Sequence, residues 1–242
     1  MSAAPRCFVV GHPIAHSRSP MIHGHWLARH NLSGSYERVD VAPEDLPAFV
    51  ESVRKGVFAG GNVTVPHKEA IAPLLDELTD AARAIGAVNT VFHAADGRLI
   101  GDNTDLAGFL GQLDARAPGW TQSVRTALIL GAGGASHAVV HALADRNVPL
   151  ILIANRHRER AEKLAADVGP TATVIDWKSR HGAVPMADLI VNTTSLGMKG
   201  QPPLELDLAT MRPGTIVDDI VYVPLETELL ARARAHGGVS VE

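Results

Sequence analysis

Leu128-Ile129-Leu130-Gly131-Ala132-Gly133-Gly134-Ala135-Ser136 decides the fold. Three apolar residues end a strand, glycines make a tight turn, and small residues open a helix. Gly131 and Gly133 occupy the first two positions of a dinucleotide-binding fingerprint, and Ser136 takes the third, small but neither Gly nor Ala. Glycines alone are a weak signal. Between an apolar strand and a helix they become a strong one, because the helix's first amides point at whatever fills the turn and suit a pyrophosphate.

Working outward, the same rhythm continues on the C-terminal side. Strands are expected over 126–130, 150–154, near 173–175, over 189–192, 215–218 and 239–241. Helices are expected to residue 146, over 158–168 and over 225–236. Short apolar strands alternating with helices predict a Rossmann-type, doubly wound parallel sheet. On the N-terminal side strands are predicted over 6–10, 36–41 and 62–65, and helices over 19–30, 43–55, 67–75 and 80–85. Ser19 reads as an N-cap, with Pro20 at the first helical position. Strands 89–93 and 98–101 flank Ala95-Asp96-Gly97, a good hairpin turn. A helix follows over 105–113. Residues 115–125 lack periodicity and could hold the domain break, as could the 105–113 helix itself. The reading adopted is an α/β substrate-binding and catalytic domain over 1–104 and a Rossmann domain over 105–242.

Composition narrows the function. Of 242 residues 46% are hydrophobic and 20% charged, and the net charge of −4 gives no basic footprint for nucleic acid. The apolar run at the N-terminus is too short for a signal peptide, and no segment approaches a membrane span. These features predict a cytoplasmic protein, a monomer or homodimer, without nucleic-acid or membrane partners. Cys7, the single cysteine, lies in an apolar run and reads as buried strand packing.

The end of the second Rossmann strand selects the dinucleotide. An NAD site wants a carboxylate there for the ribose hydroxyls, about 20 residues past the glycines. This chain has Asn155-Arg156 instead, followed by Arg158 and Arg160. Guanidinium groups match a 2′-phosphate, so NADP(H) is favoured over NAD(H). The plain alternative is a set of solvated arginines at a helix start.

Gly60-Gly61-Asn62-Val63-Thr64-Val65-Pro66-His67-Lys68 carries a second signal. Strand alternation places Asn62 and Thr64 on one face. Lys68 then falls on the first turn of the helix expected after Pro66, where the dipole disfavours a cation. Chemistry or a ligand would explain it; so would simple solvation.

Taken together the motifs resemble shikimate dehydrogenase along nearly the whole chain. The carrying residues are Gly11-His12-Pro13-Ile14-Ala15-His16-Ser17-Arg18-Ser19-Pro20, Asn62 through Lys68, Gly86-Ala87-Val88-Asn89-Thr90 and Gly101-Asp102-Asn103-Thr104-Asp105. Gly131 through Ala135, Asn155-Arg156, Asn192-Thr193-Thr194-Ser195-Leu196-Gly197-Met198, Asp219 through Tyr222, Pro224 and Thr227 complete the pattern.

The resemblance implies NADPH-dependent reduction of 3-dehydroshikimate to shikimate, with a cleft between the two domains. It implies that Ser17 and Ser19 bind the substrate carboxylate, and that Asn62, Thr64, Asn89 and Asp105 hold the ring hydroxyls. Tyr222 would reach the substrate. Lys68 and Asp105 would form the catalytic pair. Gly131, Ala132, Gly133, Gly134, Ala135, Asn155, Arg156, Arg160 and Thr193 would bind the dinucleotide. Met198 and Val221 would line the nicotinamide pocket, although core filling explains Met198 equally well.

Three departures stand out. His157 replaces the threonine frequent after Asn-Arg, and Ser136 takes the third fingerprint position. The sequence also ends at Glu242, where relatives are expected to continue with a substrate-contacting glutamine and a closing helix. Twelve histidines raise a metal site, with His12, His16, His23, His25 and His30 close in sequence and His137 and His141 at helical spacing. No cysteine or carboxylate pattern completes one, so no metal is expected. The competing readings are a quinate/shikimate dehydrogenase using NAD, and a catalytically weak relative that binds a metabolite.

Overall fold

A computed structural model describes residues 4–241, and its backbone divides into two compact units between Thr104 and Asp105. The first unit contains β1 (Arg6–Gly11), α1 (Ser19–Arg29), β2 (Ser35–Asp40), α2 (Leu46–Arg54), β3 (Gly60–Val63), β4 (Glu77–Leu78), α3 (Asp80–Ile85), β5 (Thr90–His93) and β6 (Leu99–Asp102). Its sheet runs β2-β1-β3-β5-β6-β4. The first three strands are parallel, whereas β5 is antiparallel to both β3 and β6. The hairpin closes through Gly97, whose φ of 89° is left-handed.

One face of this sheet holds the core. Phe8, Val10, Val63 and Val91 pack on Phe49, Val50 and Val53 of α2, with the Phe8 ring edge-on to Phe49 at 5.0 Å. The close packing explains Gly61, because a Cβ there would lie 2.2 Å from the Phe8 carbonyl oxygen. The other face is thinly covered: α1 contributes no fully buried residue. Between α1 and the sheet lies a cavity of about 420 Å³ lined by Cys7, His23, Leu27, Tyr36 and Phe92 among others. Cys7 is therefore half-buried on β1 rather than packed in the core.

The second unit contains α4 (Asp105–Arg116), α5 (Trp120–Ser123), β7 (Thr126–Leu130), α6 (Gly134–Asp145), β8 (Leu150–Asn155), α7 (Arg158–Val168), β9 (Ala172–Asp176), α8 (Arg180–Ala183), β10 (Leu189–Asn192), β11 (Ile216–Asp219), α9 (Glu228–Ala235) and β12 (Val239–Val241). All neighbouring strands are parallel, in the order β12-β11-β10-β7-β8-β9, the doubly wound Rossmann arrangement. Strand alternation builds two core layers. Ala127, Ile129, Ile151, Ile153 and Val191 face α4, α6 and α7, while Leu128, Leu130, Leu152, Ala154 and Ile190 face α9 and the 204–211 segment. Ala117, Trp120 (1% exposed) and Val124 are part of the first layer, so the aperiodic 115–125 stretch is anchored in this core.

Three local expectations change. No helix forms over 67–75: a single turn closes from Ile71 N–H to His67 O, then a short 3₁₀ turn covers Ala72–Leu74. Pro73 is the cause, since it has no N–H to offer Glu69 O and its ring clashes with the preceding turn, so the α-helical ladder cannot pass through it. The dipole argument for Lys68 therefore lapses. Ser19 is the first residue of α1 and not its cap, because Arg18 already has helical dihedrals. The 225–236 helix starts later, at Glu228, where the Thr227 hydroxyl accepts from Leu230 N–H.

Candidate active site

In the first unit, chain direction gathers the candidate residues at one sheet edge. Gly11, Asp40 and Val63 end the parallel strands β1, β2 and β3 side by side. The segments carrying Ser17, Ser19, Thr64 and Lys68 leave from those ends. The antiparallel β5 starts at the same edge, with Thr90 opposite Asn62, and β6 finishes there, with Asp102 opposite Thr90. Asn89 and Thr104 thus join the group.

Each side chain has a local reason for its position. Arg38 on β2 grips the Ser17 carbonyl with two guanidinium N–H groups, at 2.8 and 2.5 Å. The Ser17 hydroxyl accepts from Ser19 N–H at 3.3 Å, folding both serines into one turn. Gly11 leaves room for Thr64, whose methyl would lie 2.6 Å from a Cβ at residue 11. His67 is 1% exposed, and its Nε2 bonds the Val41 carbonyl at 2.8 Å. That anchor sets the turn in which half-buried Lys68 follows, and Lys68 O accepts from Val88 N–H at 2.7 Å.

A polar chain links the rest. Tyr36 donates to Asn62 Oδ1 at 2.5 Å, and Asn62 Nδ2 donates to Asn89 O and Thr90 Oγ1 at 3.3 and 3.2 Å. Thr90 donates to Asn89 Oδ1, which also accepts from Thr104 N–H at 3.1 Å. Asn89 thereby ties down Thr104, the residue before Asp105.

In the second unit the candidates gather at the carboxyl edge of the parallel sheet, where such sheets bind ligands at the point of strand-order reversal. That point lies between β7 and β10. Gly131 has φ of 120°, and a Cβ there would sit 2.5 Å from Thr193 Oγ1. Ser136 Oγ accepts from Gly133 N–H at 3.1 Å and bonds Thr193 Oγ1 at 2.6 Å; Thr193 also donates to Leu130 O at 2.8 Å. The fingerprint serine is thus the pin of the loop. Above Gly133 a Cβ would meet nothing within 4 Å, which leaves open space beside the turn and the start of α6, while the Gly131 and Gly133 amides are themselves taken by Ala154 O and Ser136 Oγ.

At the end of β8, Asn155 Nδ2 donates to His157 O at 2.8 Å, and Arg156 is exposed. Arg158 is held by Glu162 and Asp176, at 2.7 and 2.6 Å. It is charge-compensated within α7 and β9, and the arginine cluster read from sequence loses a member. Arg160 lies on α7 and Asp105 begins α4, where the helix dipole favours a carboxylate. Asp219 organises the segments that follow β10 and β11: it accepts from Asn192 Nδ2, Val221 N–H and the Thr227 hydroxyl, at 2.9, 3.1 and 2.7 Å. Lys199 N–H to Val223 O, at 2.9 Å, ties the Met198 loop to the Tyr222 loop. Val221 is buried, Met198 half-buried and Tyr222 half-exposed. Among the described residues no group of three or more His, Cys, Asp or Glu side chains forms a metal site. No helix there is long and apolar enough to cross a membrane.

Residues 9–91 match the family model described as the shikimate dehydrogenase substrate binding domain, and residues 116–198 match that of shikimate / quinate 5-dehydrogenase. The shikimate dehydrogenase (NADP(+)) of Methylobacterium radiotolerans is 54% identical, over 99% of this chain and 86% of its own length. The chain belongs to the shikimate dehydrogenase family. Among solved structures it is similar to Thermus thermophilus shikimate 5-dehydrogenase in complex with NADP(H) and shikimate, at 38% identity and a TM-score of 0.84, covering 98% of this chain and 86% of that one. It is also similar to Corynebacterium glutamicum quinate dehydrogenase in complex with NAD, at 31% identity and a TM-score of 0.89, covering 98% and 87%. In this shikimate dehydrogenase family member, His67 and Thr104 stand in the quoted motifs but had no role assigned, and Tyr36 and Arg38 are the supporting residues that sequence reasoning missed. The only available signal was the period-two spacing of Tyr36 and Arg38 on a strand.

Proposed function

We propose that this chain reduces 3-dehydroshikimate to shikimate with NADPH, reversibly, as a cytoplasmic enzyme acting on small molecules, as a monomer or homodimer. What carries the reading is the gathering of Ser17, Ser19, Asn62, Thr64, Lys68 and Asn89 at one sheet edge of the first unit. That unit contains the whole of the region, residues 9–91, that matches a shikimate dehydrogenase substrate binding domain. The serine turn offers hydroxyl donors to a carboxylate. Asn62, Thr64 and Asn89 offer the mixed donors and acceptors that ring hydroxyls require, since an unmatched polar group in a buried site is costly.

The residues around the β7–α6 turn fit a dinucleotide: Gly133 leaves open space beside the turn and the start of α6, and Arg156 stands exposed at the strand end for a 2′-phosphate. Gly131 through Ala135, Asn155, Arg156, Arg160 and Thr193 would hold it, with Met198 and Val221 on the nicotinamide side. Bound NADPH supplies the hydride. As the ketone oxygen gains negative charge, Lys68 stabilises it and donates the proton, and Asp105 orients that exchange. In the oxidation direction Lys68 takes the hydroxyl proton back. Tyr222 contributes a contact to the substrate.

Steady-state oxidation of shikimate and of quinate, each with NADP and with NAD, tests this reading. Shikimate with NADP is expected to give the highest kcat/KM of the four. Preference for quinate with NAD would overturn it, and tight shikimate binding without turnover would instead favour the metabolite-binding relative.

A further inference from the structure

We infer that Tyr36 is a positioning residue for Asn62, and that through Asn62 it makes the proposed substrate site select a free ring hydroxyl over a ketone or ether at one carbon. The inference rests on the substrate reading above. Tyr36 lies on the edge strand β2, opposite Cys7 of β1, and Asn62 of β3 lies opposite Val9. The phenol therefore reaches diagonally across β1 to meet an amide two strands away. Its ring is stacked on His23 of α1, centroids 4.0 Å apart and planes 10° from parallel. That clamp fixes where the hydroxyl points.

The direction of each hydrogen bond follows from the groups that can only accept. Asn89 O is a carbonyl, so the Asn62 atom facing it at 3.3 Å is the amide nitrogen. The oxygen then faces Tyr36, and Tyr36 must donate. Burial holds the Tyr36 proton well above the usual phenol range, which keeps it a donor. Both Asn62 N–H groups point at Asn89 O and Thr90 Oγ1, and one lone pair of Oδ1 is taken by Tyr36. What Asn62 has left for a substrate is a single acceptor site. A hydroxyl can donate to it, whereas a ketone or ether oxygen would set lone pair against lone pair.

Tyr36→Phe keeps the stacked ring and removes only the donor. With shikimate and NADP we expect its shikimate KM to rise by roughly five-fold or more, from the loss of one buried hydrogen bond. The kcat and the NADP KM should stay within about two-fold, because neither the proton donor nor the nucleotide loop is touched. In an Asn62→Ala background the same change should have almost no further effect. An equal loss in both backgrounds means a merely structural role and overturns the inference, as does an unchanged KM in Tyr36→Phe. Side-chain amide signals of Asn62 in ¹⁵N-labelled full-length protein give a readout independent of substrate. They are expected to shift and exchange faster with water in Tyr36→Phe. Unmoved signals overturn the positioning claim itself, while moved signals in a protein that neither binds nor oxidises shikimate overturn the substrate reading alone.

Discussion

The Ser136 and Thr193 hydroxyls lie 2.6 Å apart although 57 residues separate them, and they join the start of α6 to the chain leaving β10. Thr193 also donates to Leu130 O, so one side chain secures the strand, the glycine turn and the helix that meet at the reversal of strand order. These bonds hold the turn from behind, and Gly133 N–H joins them by donating to Ser136 Oγ, while open space remains over Gly133.

Thr193→Val preserves shape and removes both bonds. It should destabilise the protein by about 1–2 kcal/mol, the cost of leaving Leu130 O and Ser136 Oγ short of a partner. The NADP KM should rise several-fold, with the shikimate KM little changed. Urea unfolding and dinucleotide titration check the two effects.

Arg156 is the exposed cation at the β8 end, whereas Arg158 is occupied by Glu162 and Asp176. Arg156→Gln is therefore expected to raise the NADP KM by roughly ten-fold or more, as loss of a charge-assisted phosphate contact should. The NAD KM should stay nearly constant. Parallel kinetics with both nucleotides measure the ratio; an unchanged ratio would remove Arg156 from 2′-phosphate recognition.

Asp218 on β11 is fully buried between Val191 and Val241, and neither carboxylate oxygen has a hydrogen-bond partner. Burial, then the neighbouring Asp219, pushes its carboxyl up to about 7. The unfolded chain releases this proton near its ordinary value of about 4, so the folded state binds it more tightly. The resulting contribution to stability falls as pH rises from about 4 to about 7 and is level above that. Burial raises Asp219 as well, against three opposing hydrogen bonds. Asp218→Asn should flatten much of the slope and raise the melting temperature at pH 8 by roughly 5 °C. Calorimetry at pH 5 and pH 8 compares the two proteins, and equal pH slopes would contradict this account of Asp218.

Much of this molecule is legible from its sequence, and the boundary has physical causes. β7, the glycine turn, α7, α3 and the 95–97 hairpin turn are local: propensity, alternation and turn chemistry all agree on them. The 67–75 segment fails because a single proline outweighs an otherwise helical pattern. The two-residue β4 carries too short a signal to detect. The mixed pairing of β5 follows from tertiary contacts that no window of sequence contains. The site divides the same way. Lys68 and Ser17 are visible through the motifs they stand in and the glycines through their pattern, whereas Tyr36 against Asn62 and Arg38 against Ser17 are contacts across 26 and 21 residues.

The central claim is that Lys68 delivers the proton in shikimate–NADP exchange, and one measurement reaches it directly: steady-state shikimate oxidation with NADP by the unaltered chain, Lys68→Ala and Asp105→Asn. The unaltered chain should turn over, and each variant should lose at least roughly 100-fold in kcat, the range of general acid–base catalysis, while its melting temperature stays close to the parent's. A well-folded Lys68→Ala protein that oxidises shikimate at the parental rate would contradict the account.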